Sequence, residues 1–287
     1  MIAVTIGMIG GIFSSAVFKG MSDQRVKEAI KYETSHIQIH HPKFMENQEL
    51  KYTLENPEGM AGEIASIPQV QSVSRRMEIP VMIKSTATGT GVQLMGIDPD
   101  KEQEVTAIYD AVYDSTDLIE QYGFEDPQRI SGFLKDSCGM YFGRETRWQQ
   151  IVIGEELAKQ LKVDVKSKVV VNLQTTDGNL SGGVFRVAGI YRITNSAFEN
   201  TVAFIEKDAL AELTGLKSGS AHELAIRLED DGELNAMMSQ LETKYPDLSI
   251  MSWKDIQPEL GMITEWLDVM LYFVMVIILL ALGFGIV

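Results

Sequence analysis

The two ends of the chain are apolar, and they constrain the fold more than any other feature of the sequence. Residues 269–287 contain no charged side chain, and residues 1–18 contain none before Lys19. A helix rises about 1.5 Å per residue, so runs of this length match a bilayer core of about 30 Å. We therefore expect a transmembrane helix at each end. A cleaved signal peptide stays an alternative for the first run, because a Gly-rich run also suits a signal-peptide core.

These ends define the predicted domains. We expect a partial transmembrane helix at residues 1–18 and a large extramembrane domain at residues 19–262. Residues 263–287 are expected to hold the end of a stalk and a second transmembrane helix. Roughly 240 residues between the apolar ends are ample for a substantial core.

The acidic charge excludes one class of partner. The formal net charge is −15, with 25 Lys and Arg residues against 40 Asp and Glu residues. A surface of this sign repels nucleic-acid phosphates, so we expect no nucleic-acid partner. The single cysteine, Cys138, forms no disulfide within the chain, and we interpret it as a small buried or incidental thiol.

Helical periodicity continues from each apolar run into the middle of the chain. The apolar residues are spaced as one stripe on each helix, which predicts two amphipathic stalks. The stripe after the first run consists of Phe18, Met21, Val26 and Ile30, and the stripe before the second consists of Trp253, Ile256, Leu260, Ile263, Trp266 and Leu267. Ser252 is a plausible N-cap for the second stalk, and Trp266 lies where an interfacial aromatic residue is expected.

The middle of the chain mixes strand and helix signals, which predicts an α+β fold rather than a doubly wound sheet. Strand signals occur at 36–41, 71–85, 91–98, 151–154, 168–175, 183–193, 201–206, 221–229 and 248–253. Helix signals occur at 56–67, 155–161, 207–216 and 232–245. We expect two subdomains, one built from residues 36–98 with the late elements and the other from about residue 100 to 200. Pro80 predicts an edge strand or a bulge.

The sequence contains no motif that indicates catalysis. It lacks the phosphate-binding pattern GxxxxGK[ST], the GxSxG elbow and the HExxH pair. We therefore predict a non-catalytic chain without a cofactor of its own. His36, His40 and His41 suggest a metal site, but alternation along a strand would turn His41 away from the other two. A polar strand end is the preferred interpretation.

Five segments, in this order, resemble the permease subunits of the MacB, LolC and LolE class of ABC transporters, which includes FtsX-like proteins. They are FKGMSDQRVKEAIKYETSHIQIHHPKF, VQLMGIDPDKEQEV, IVIGEELAKQLKVDVKSKVVVNL, FRVAGIYRITNSAFENTVAFIEKDALAEL and SWKDIQPEL. The resemblance covers the chain from end to end. It implies a periplasmic core domain between the first two membrane helices of a four-helix permease, whose last two helices would follow residue 287.

The resemblance implies a permease subunit that works by mechanotransmission. ATP and Mg would bind a separate cytoplasmic ATPase, and the stalks would relay movement of the membrane helices into the periplasmic domain. Expected partners are that ATPase, a second permease subunit in a homodimer or heterodimer, a periplasmic lipoprotein carrier or outer-membrane channel, and membrane lipid. The expected location is the bacterial inner membrane, with several membrane passes and the large domain in the periplasm.

The branch within this class is a separate hypothesis. The stalk and the Gly-Ile-Asp-Pro segment at residues 96–99 favour lipoprotein release from the inner membrane. MacB-like export of peptides or small molecules and FtsX-like regulation of wall enzymes use a related architecture. A membrane-tethered periplasmic binding module without transport is the alternative from a different class.

One hairpin is a candidate partner-binding site. In the lipoprotein-releasing branch such a hairpin recruits the carrier, and the corresponding residues here are Thr175, Thr176, Asp177, Gly178 and Asn179. Asp-Gly is the strongest short hairpin signal. The segment is short and lacks proline, so a plain β-turn stays the alternative.

Overall fold

The computed structural model describes residues 2–113 and 148–285, and the elements are numbered over these residues. The helices are α1 (Ile2–Glu28), α2 (Pro42–Asn47), α3 (Pro57–Ala65), α4 (Pro99–Val105), α5 (Ile108–Ala111), α6 (Glu155–Leu161), α7 (Ser196–Thr201), α8 (Lys207–Thr214), α9 (Leu234–Lys244), α10 (Trp253–Ile256) and α11 (Pro258–Gly285). A π-helix spans Ala29–Thr34, and a 3-10 helix spans Asp231–Glu233. The strands are β1 (Ile37–His40), β2 (Val70–Lys84), β3 (Gly89–Ile97), β4 (Gln150–Gly154), β5 (Lys168–Gln174), β6 (Leu180–Tyr191), β7 (Val202–Glu206), β8 (Glu223–Leu228) and β9 (Ser249–Ser252).

Six strands close into a ring, which we call the barrel lobe. The hydrogen-bonded order is β3-β7-β4-β6-β5-β2, and β2 also pairs with β3, which closes the ring. Aliphatic and aromatic side chains fill its core, among them Ile79, Leu94, Ile153, Val171 and Phe185. Closure gives each of these six strands a partner on both sides over part of its length.

The remaining strands form an antiparallel sheet, which we call the sheet lobe. Residues 70–76 of β2 pair with β8, β8 pairs with β1, and β1 pairs with β9. Helices α3 and α9 pack against this sheet, with Leu234, Met237 and Leu241 of α9 on one buried face. Their i, i+3, i+7 spacing is that of an amphipathic helix on a core.

Strand β2 belongs to both lobes, and Pro80 lies where it passes from one to the other. Pairing with β8 ends at Arg76, and pairing with β5 begins at Met82. Between these residues β2 pairs with β3 alone, in register Pro80↔Gln93. Because proline has no N–H to donate, it is tolerated at a position with one strand neighbour. The expectation of a local edge at Pro80 is confirmed.

The α+β fold is confirmed, but the division between the lobes differs from the expected one. Strand β3 packs into the barrel-lobe core through Val92 and Leu94, although we assigned residues 36–98 to the first subdomain. The boundary falls inside β2 because a single long strand supplies side chains to both cores. Cys138 lies in 114–147, outside the described residues.

Within the described part of the chain, one helix is long and apolar enough to cross a membrane, with the span at Pro258–Ile277. The first predicted transmembrane helix lies in α1, and its membrane crossing stays a prediction. Both stalks depart from the regular helices that we expected. The first becomes a π-helix at Ala29, and the second is interrupted at Gln257. The residue before a proline avoids helical backbone angles, so Pro258 starts a new helix.

Candidate functional site at the stalk junction

The two stalks enter the sheet lobe side by side. The π-helix leads into β1, and β9 leads into α10. Strands β1 and β9 are antiparallel neighbours, in register Ile37↔Ser252. The entry and the exit of the extramembrane domain therefore meet at one place, which we call the stalk junction and define by Arg25, Glu33, Asn195 and Gln257.

Glu33 holds the stalk junction together. Its side chain is 3% exposed and accepts a hydrogen bond from Nη1 of Arg25 on α1 at 2.8 Å. Its Oε2 accepts from Nδ2 of Asn195 at 3.0 Å and from Nε2 of Gln257 at 2.7 Å. Asn195 precedes α7, and Gln257 links α10 to α11. One buried carboxylate thus connects the first stalk, the second stalk and the barrel lobe.

Asn195 is well suited to this position because its two amide atoms have different partners. Its Oδ1 accepts from the backbone N–H groups of Ala197 and Phe198 and caps α7. Its Nδ2 is then left to donate to Glu33. Asn195 therefore links Glu33 to the first turn of α7 by hydrogen bonds.

The π-helix contacts both lobes. Ile30 is buried in the sheet-lobe core, whereas Tyr32 packs against a cluster on the barrel lobe that includes Ile108 and Tyr191. The backbone N–H of Ala107 donates to the carbonyl oxygen of Lys31 at 2.9 Å. A π-helical turn holds one more residue than an α-helical turn, so successive side chains point in different directions from those of a regular α-helix. Such π-helical turns are frequent at functional sites.

Ser35 ends the first stalk in a strained backbone conformation. Its φ is 63° and its ψ is −167°, a region used almost only by glycine. The Oγ of Ser35 donates to the carbonyl oxygen of Ile226 at 2.7 Å, and its N–H donates to the carbonyl oxygen of Ile30 at 3.1 Å. These bonds hold the sharp turn between the π-helix and β1.

The second stalk begins at a capping box. The backbone N–H and the Oγ of Ser252 both contact Oδ2 of Asp255, at 2.8 and 2.6 Å. The backbone N–H of Trp253 donates to the carbonyl oxygen of His36. The predicted N-cap at Ser252 is confirmed, and the cap fixes α10 to the start of β1.

The predicted stalk residues divide into two groups. Ile30 and Trp253 are buried in the sheet-lobe core, Val26 and Leu260 pack against it, and Ile256 is half-buried. Phe18, Met21 and Trp266 are exposed, and with Ile263 they line a groove of about 1110 Å³ between α1 and α11. Their role in relaying movement stays a prediction.

A second set of buried charges joins β2, α4 and β8. The Arg76 guanidinium donates to Glu102 at 2.7 and 3.0 Å and to Glu223 at 2.8 Å, and all three side chains are 1% exposed. Ser74 and Thr106 also donate to Glu102. Arg76 is the last residue of β2 that pairs with β8, so this charge cluster lies at the boundary between the lobes.

The ionisation of this cluster follows from burial and pairing. Burial alone would lower the pKa of Arg76, but Glu102 and Glu223 outweigh it and raise that pKa. Burial would raise the pKa of Glu102, but Arg76, Ser74 and Thr106 lower it. Burial prevails at Glu223, whose pKa is raised although Arg76 opposes the shift. Glu102 is therefore the stronger acid of the two carboxyl groups.

Residues 1–244 match the family model of the MacB-like periplasmic core domain. The chain belongs to the MacB-like periplasmic core domain family. No curated protein matches it. A similar solved structure is the periplasmic region of MacB from Actinobacillus actinomycetemcomitans, at 11% identity and a TM-score of 0.46, over 80% of this chain and 94% of that chain. Another is the extracellular domain of the noncanonic ABC-type transporter YknZ from Gram-positive bacteria, at 10% identity and a TM-score of 0.44, over 76% and 99%.

The candidate hairpin of this MacB-like domain connects β5 to β6. The backbone N–H of Thr175 donates to the carbonyl oxygen of Asn179 at 2.8 Å, and Gly178 has a φ of 80°. The backbone N–H of Thr176 donates to the carbonyl oxygen of Thr214 at the end of α8. The hairpin is formed as predicted, while Asp177 and its neighbours stay a predicted partner-binding site.

The histidines are engaged within the MacB-like domain. Nδ1 of His36 accepts from the backbone N–H of Leu228, and its Nε2 contacts Asp231 at 2.7 Å. Nε2 of His40 contacts Gln38, and His41 caps α2. Burial lowers the pKa of His40 to about 4. Among residues 2–113 and 148–285, no group of three or more His, Cys, Asp or Glu side chains is placed to hold a metal ion.

Sequence reasoning missed the two buried carboxylate centres, around Glu33 and around Arg76. Glu33 lies 162 residues before Asn195 and 224 residues before Gln257 in the sequence. Arg76 lies 147 residues before Glu223. Periodicity reports which face a side chain occupies and not which distant residue meets it. Alternation along the strand places Arg76 on the polar face of β2, with Ser72, Ser74 and Glu78, so its burial had no local signal.

Proposed function

We propose that this chain is part of a permease subunit of an ABC transporter that works by mechanotransmission. In this proposal α1 and α11 belong to the membrane region, and the two lobes lie in the periplasm of a bacterium. The chain itself is non-catalytic, since ATP hydrolysis belongs to a separate ATPase subunit. The family match and the apolar span Pro258–Ile277 support this proposal.

The observation that carries the proposal is the hydrogen bonding of Glu33. It receives donors from both stalks and from the barrel lobe within one buried site. A relative movement of α1 and α11 must either break these bonds or move Asn195. Such a contiguous set of contacts is what a mechanical relay between helices and a domain requires.

Within the ABC class we propose lipoprotein release from the inner membrane as the transport process. Its support is the resemblance of the first stalk and of residues 96–99 to that branch. A second permease subunit and a lipoprotein carrier are the partners that this branch uses. MacB-like export of peptides or small molecules is the competing function, with an outer-membrane channel as its partner.

Purification of the full-length permease from membranes tests the class and the branch together. An ATPase that co-purifies with acylated lipoproteins would support lipoprotein release. An ATPase with a channel or adaptor protein would instead support MacB-like export. If no ATPase co-purifies, the transporter proposal is wrong and the membrane-tethered binding module takes its place.

A Glu33→Gln variant tests the relay. The neutral amide keeps the size of the side chain but loses the charge that Arg25 pairs with. We expect the assembled transporter to continue ATP hydrolysis while cargo release falls about tenfold, within the range of 5- to 150-fold typical of coupling between sites. Glu46→Gln, at an exposed glutamate, is the matched control. Equal release by the two variants would contradict a relay through Glu33.

A further inference from the structure

A polar cleft opens where α3, the end of β3 and the start of α8 meet. It has a volume of about 440 Å³ and is lined by Glu58, Arg75, Asp98, Glu206, Lys207 and Asp208, with Ile97, Pro99, Ser218 and Gly219. This volume is within the range of about 300–1,000 Å³ of small-molecule sites. None of the residues discussed for the stalk junction lines it.

Two cations line the cleft, and neither side chain has a counter-ion within hydrogen-bond distance among the described residues. Lys207 is 7% exposed and makes no ion pair or hydrogen bond with its side chain in the described part of the chain. Arg75 is 19% exposed, and its shortest ion pairs are 3.7 Å to Glu58 and 3.8 Å to Asp98. Both distances exceed those of a hydrogen bond. A buried ammonium group is normally paired, so Lys207 is the unusual feature of this cleft.

The carboxylates lie nearer the solvent than the two cations. Glu58 is 85% exposed, Asp98 is 34% exposed, and Glu206 and Asp208 are exposed. Asp208 also accepts a hydrogen bond from Ser218 at 2.9 Å. The cleft thus has a positive floor and a negative rim.

The backbone adds donors at the floor. Helix α8 begins at Lys207, and its N-cap residue Glu206 makes no side-chain cap bond. The first N–H groups of a helix without a cap are open to an anion. Lys207 therefore offers an unpaired ammonium group beside an uncapped helix terminus.

We propose that this cleft binds a small zwitterion. Its anionic group, a carboxylate or a phosphate, lies against Lys207 and Arg75, and its ammonium group faces Glu58, Asp98 and Asp208. Free amino acids and short peptides have this chemistry, and so does a phosphoethanolamine headgroup. The site is independent of the proposed function, because it requires neither transport nor an ATPase.

The electrostatics of Lys207 support an anionic ligand. Burial lowers the pKa of Lys207, and the neighbouring Arg75 lowers it further; Asp98, Asp208 and Glu58 act in the opposite direction but do not restore it. An anion bound between the two cations would oppose both effects. A zwitterion suits the cleft better than a simple anion, because the rim carboxylates repel an anion and attract an attached ammonium group.

Calorimetric titration of the whole chain in detergent micelles tests the site. Glycylglycine and O-phosphoethanolamine are the two zwitterions, with acetate, inorganic phosphate and ethylammonium as half-ligands. We expect one zwitterion to bind at least about tenfold more tightly than its half-ligands. Binding of glycylglycine would indicate an amino acid or peptide as the ligand, and binding of O-phosphoethanolamine would indicate a headgroup. Lys207→Met is expected to weaken binding by about tenfold or more, because it removes a charge-assisted hydrogen bond. Lys84→Met, at an exposed lysine, is expected to leave it unchanged.

Amine labelling of the unmutated chain provides a test that no folding defect can obscure. Reductive methylation followed by mass spectrometry reports the reactivity of each lysine. At a zwitterion concentration that fills the site, methylation of Lys207 is expected to fall at least about tenfold. Methylation of Lys84 is expected to stay unchanged. Absence of binding by both zwitterions, equal binding by a half-ligand, or unchanged labelling of Lys207 would each overturn the proposal.

Discussion

At the scale of single residues, the domain depends on charges that are buried in pairs. Glu33 is surrounded by three donors, and Arg76 is enclosed by Glu102 and Glu223. A buried ion pair contributes little net stability compared with an apolar substitute, but losing one partner leaves an uncompensated charge. The effect of a substitution therefore depends on whether it removes one charge or the whole set.

Arg76→Met is expected to destabilise the domain strongly. It leaves Glu102 and Glu223 facing each other at the lobe boundary without a cation. The free energy of unfolding should fall by about 3–5 kcal/mol, which urea titration followed by tryptophan fluorescence would measure. The triple variant Arg76→Met, Glu102→Gln, Glu223→Gln should recover part of this loss. An equal loss in both variants would argue that side-chain shape, and not charge, decides stability here.

His40 is expected to make the domain acid-sensitive. Its pKa falls from 6.5 to about 4 on folding because of burial, so between these values the unfolded chain binds a proton that the folded chain does not. Stability therefore falls as the pH drops through this window, at up to about 1.4 kcal/mol per pH unit. Burial also lowers the pKa of His222, which adds to the loss of stability in acid. Burial raises the pKa of Glu78, which opposes that loss. The His40→Gln variant should show a shallower slope of unfolding free energy from pH 6.5 to 4.5, and parallel slopes would contradict this assignment.

Sequence reasoning reached single residues only where the signal is local. The cap at Ser252 and the turn at Gly178 are decided by neighbours within a few positions, and the structure has both. The Arg76 and Glu33 centres require knowledge of which strands and loops become neighbours. No spacing in the chain carries that information.

At the scale of elements, close backbone contacts decide where glycine is needed. Gly154 is the N-cap residue of α6. A Cβ atom at this position would collide with the backbone of Glu199 in α7. In contrast, a Cβ atom at Gly62, within α3, would meet nothing within 4 Å. Gly154 is therefore required by close packing, whereas Gly62 is not.

Gly154→Ala is expected to destabilise the domain by about 1–3 kcal/mol, because α7 must move away from the end of β4. Gly62→Ala is the matched control and should stabilise α3 by about 0.5–1 kcal/mol through its better helix propensity. The midpoints of urea unfolding measure both. A neutral Gly154→Ala variant would show that α7 adjusts without cost.

Most elements could be predicted, but the order of the strands could not. Periodicity and caps located α3, α6, α8 and α9 and most of the strands, because these signals are local. The parallel pairing of β3 with β7 and of β4 with β6 joins strands that are distant in the chain. Closure of the barrel lobe depends on such pairings.

At the scale of the whole molecule, the charge distribution separates uncharged, apolar ends from an acidic middle. The apolar ends predict a membrane region, since a long helix without charged residues has few other stable environments. Ile277 lies in the apolar part of α11 and is exposed in the isolated chain. It is therefore a position at which the predicted membrane crossing can be tested.

Ile277→Arg is expected to impair membrane insertion of α11. Ile277 lies near the middle of the uncharged run 269–287. A charged residue near the centre of a span costs about 2.5–3.5 kcal/mol on insertion scales. Because α1 is itself predicted to hold the chain in the membrane, the location of a tag placed after residue 287 reports on α11 alone. The fraction of chains with a cytoplasmic tag should fall, whereas Ile277→Leu should behave as the unmutated chain does. Equal tag location in the two variants would argue against a membrane-spanning α11.

The adjacency of β1 and β9 has a consequence for how such a domain is acquired and reused. Directly opposed residues of antiparallel strands have Cα atoms only about 5 Å apart, so Ile37 and Ser252 bring the two ends of the domain together. A folded unit with neighbouring termini can be inserted into a short loop without separating the elements on either side. The two lobes together can therefore be inserted as one unit into the loop of a tight helical hairpin. Grafting residues 33–257 between the helices of an unrelated hairpin would transfer the domain with Glu33, Asn195 and Gln257 of its junction, but without Arg25.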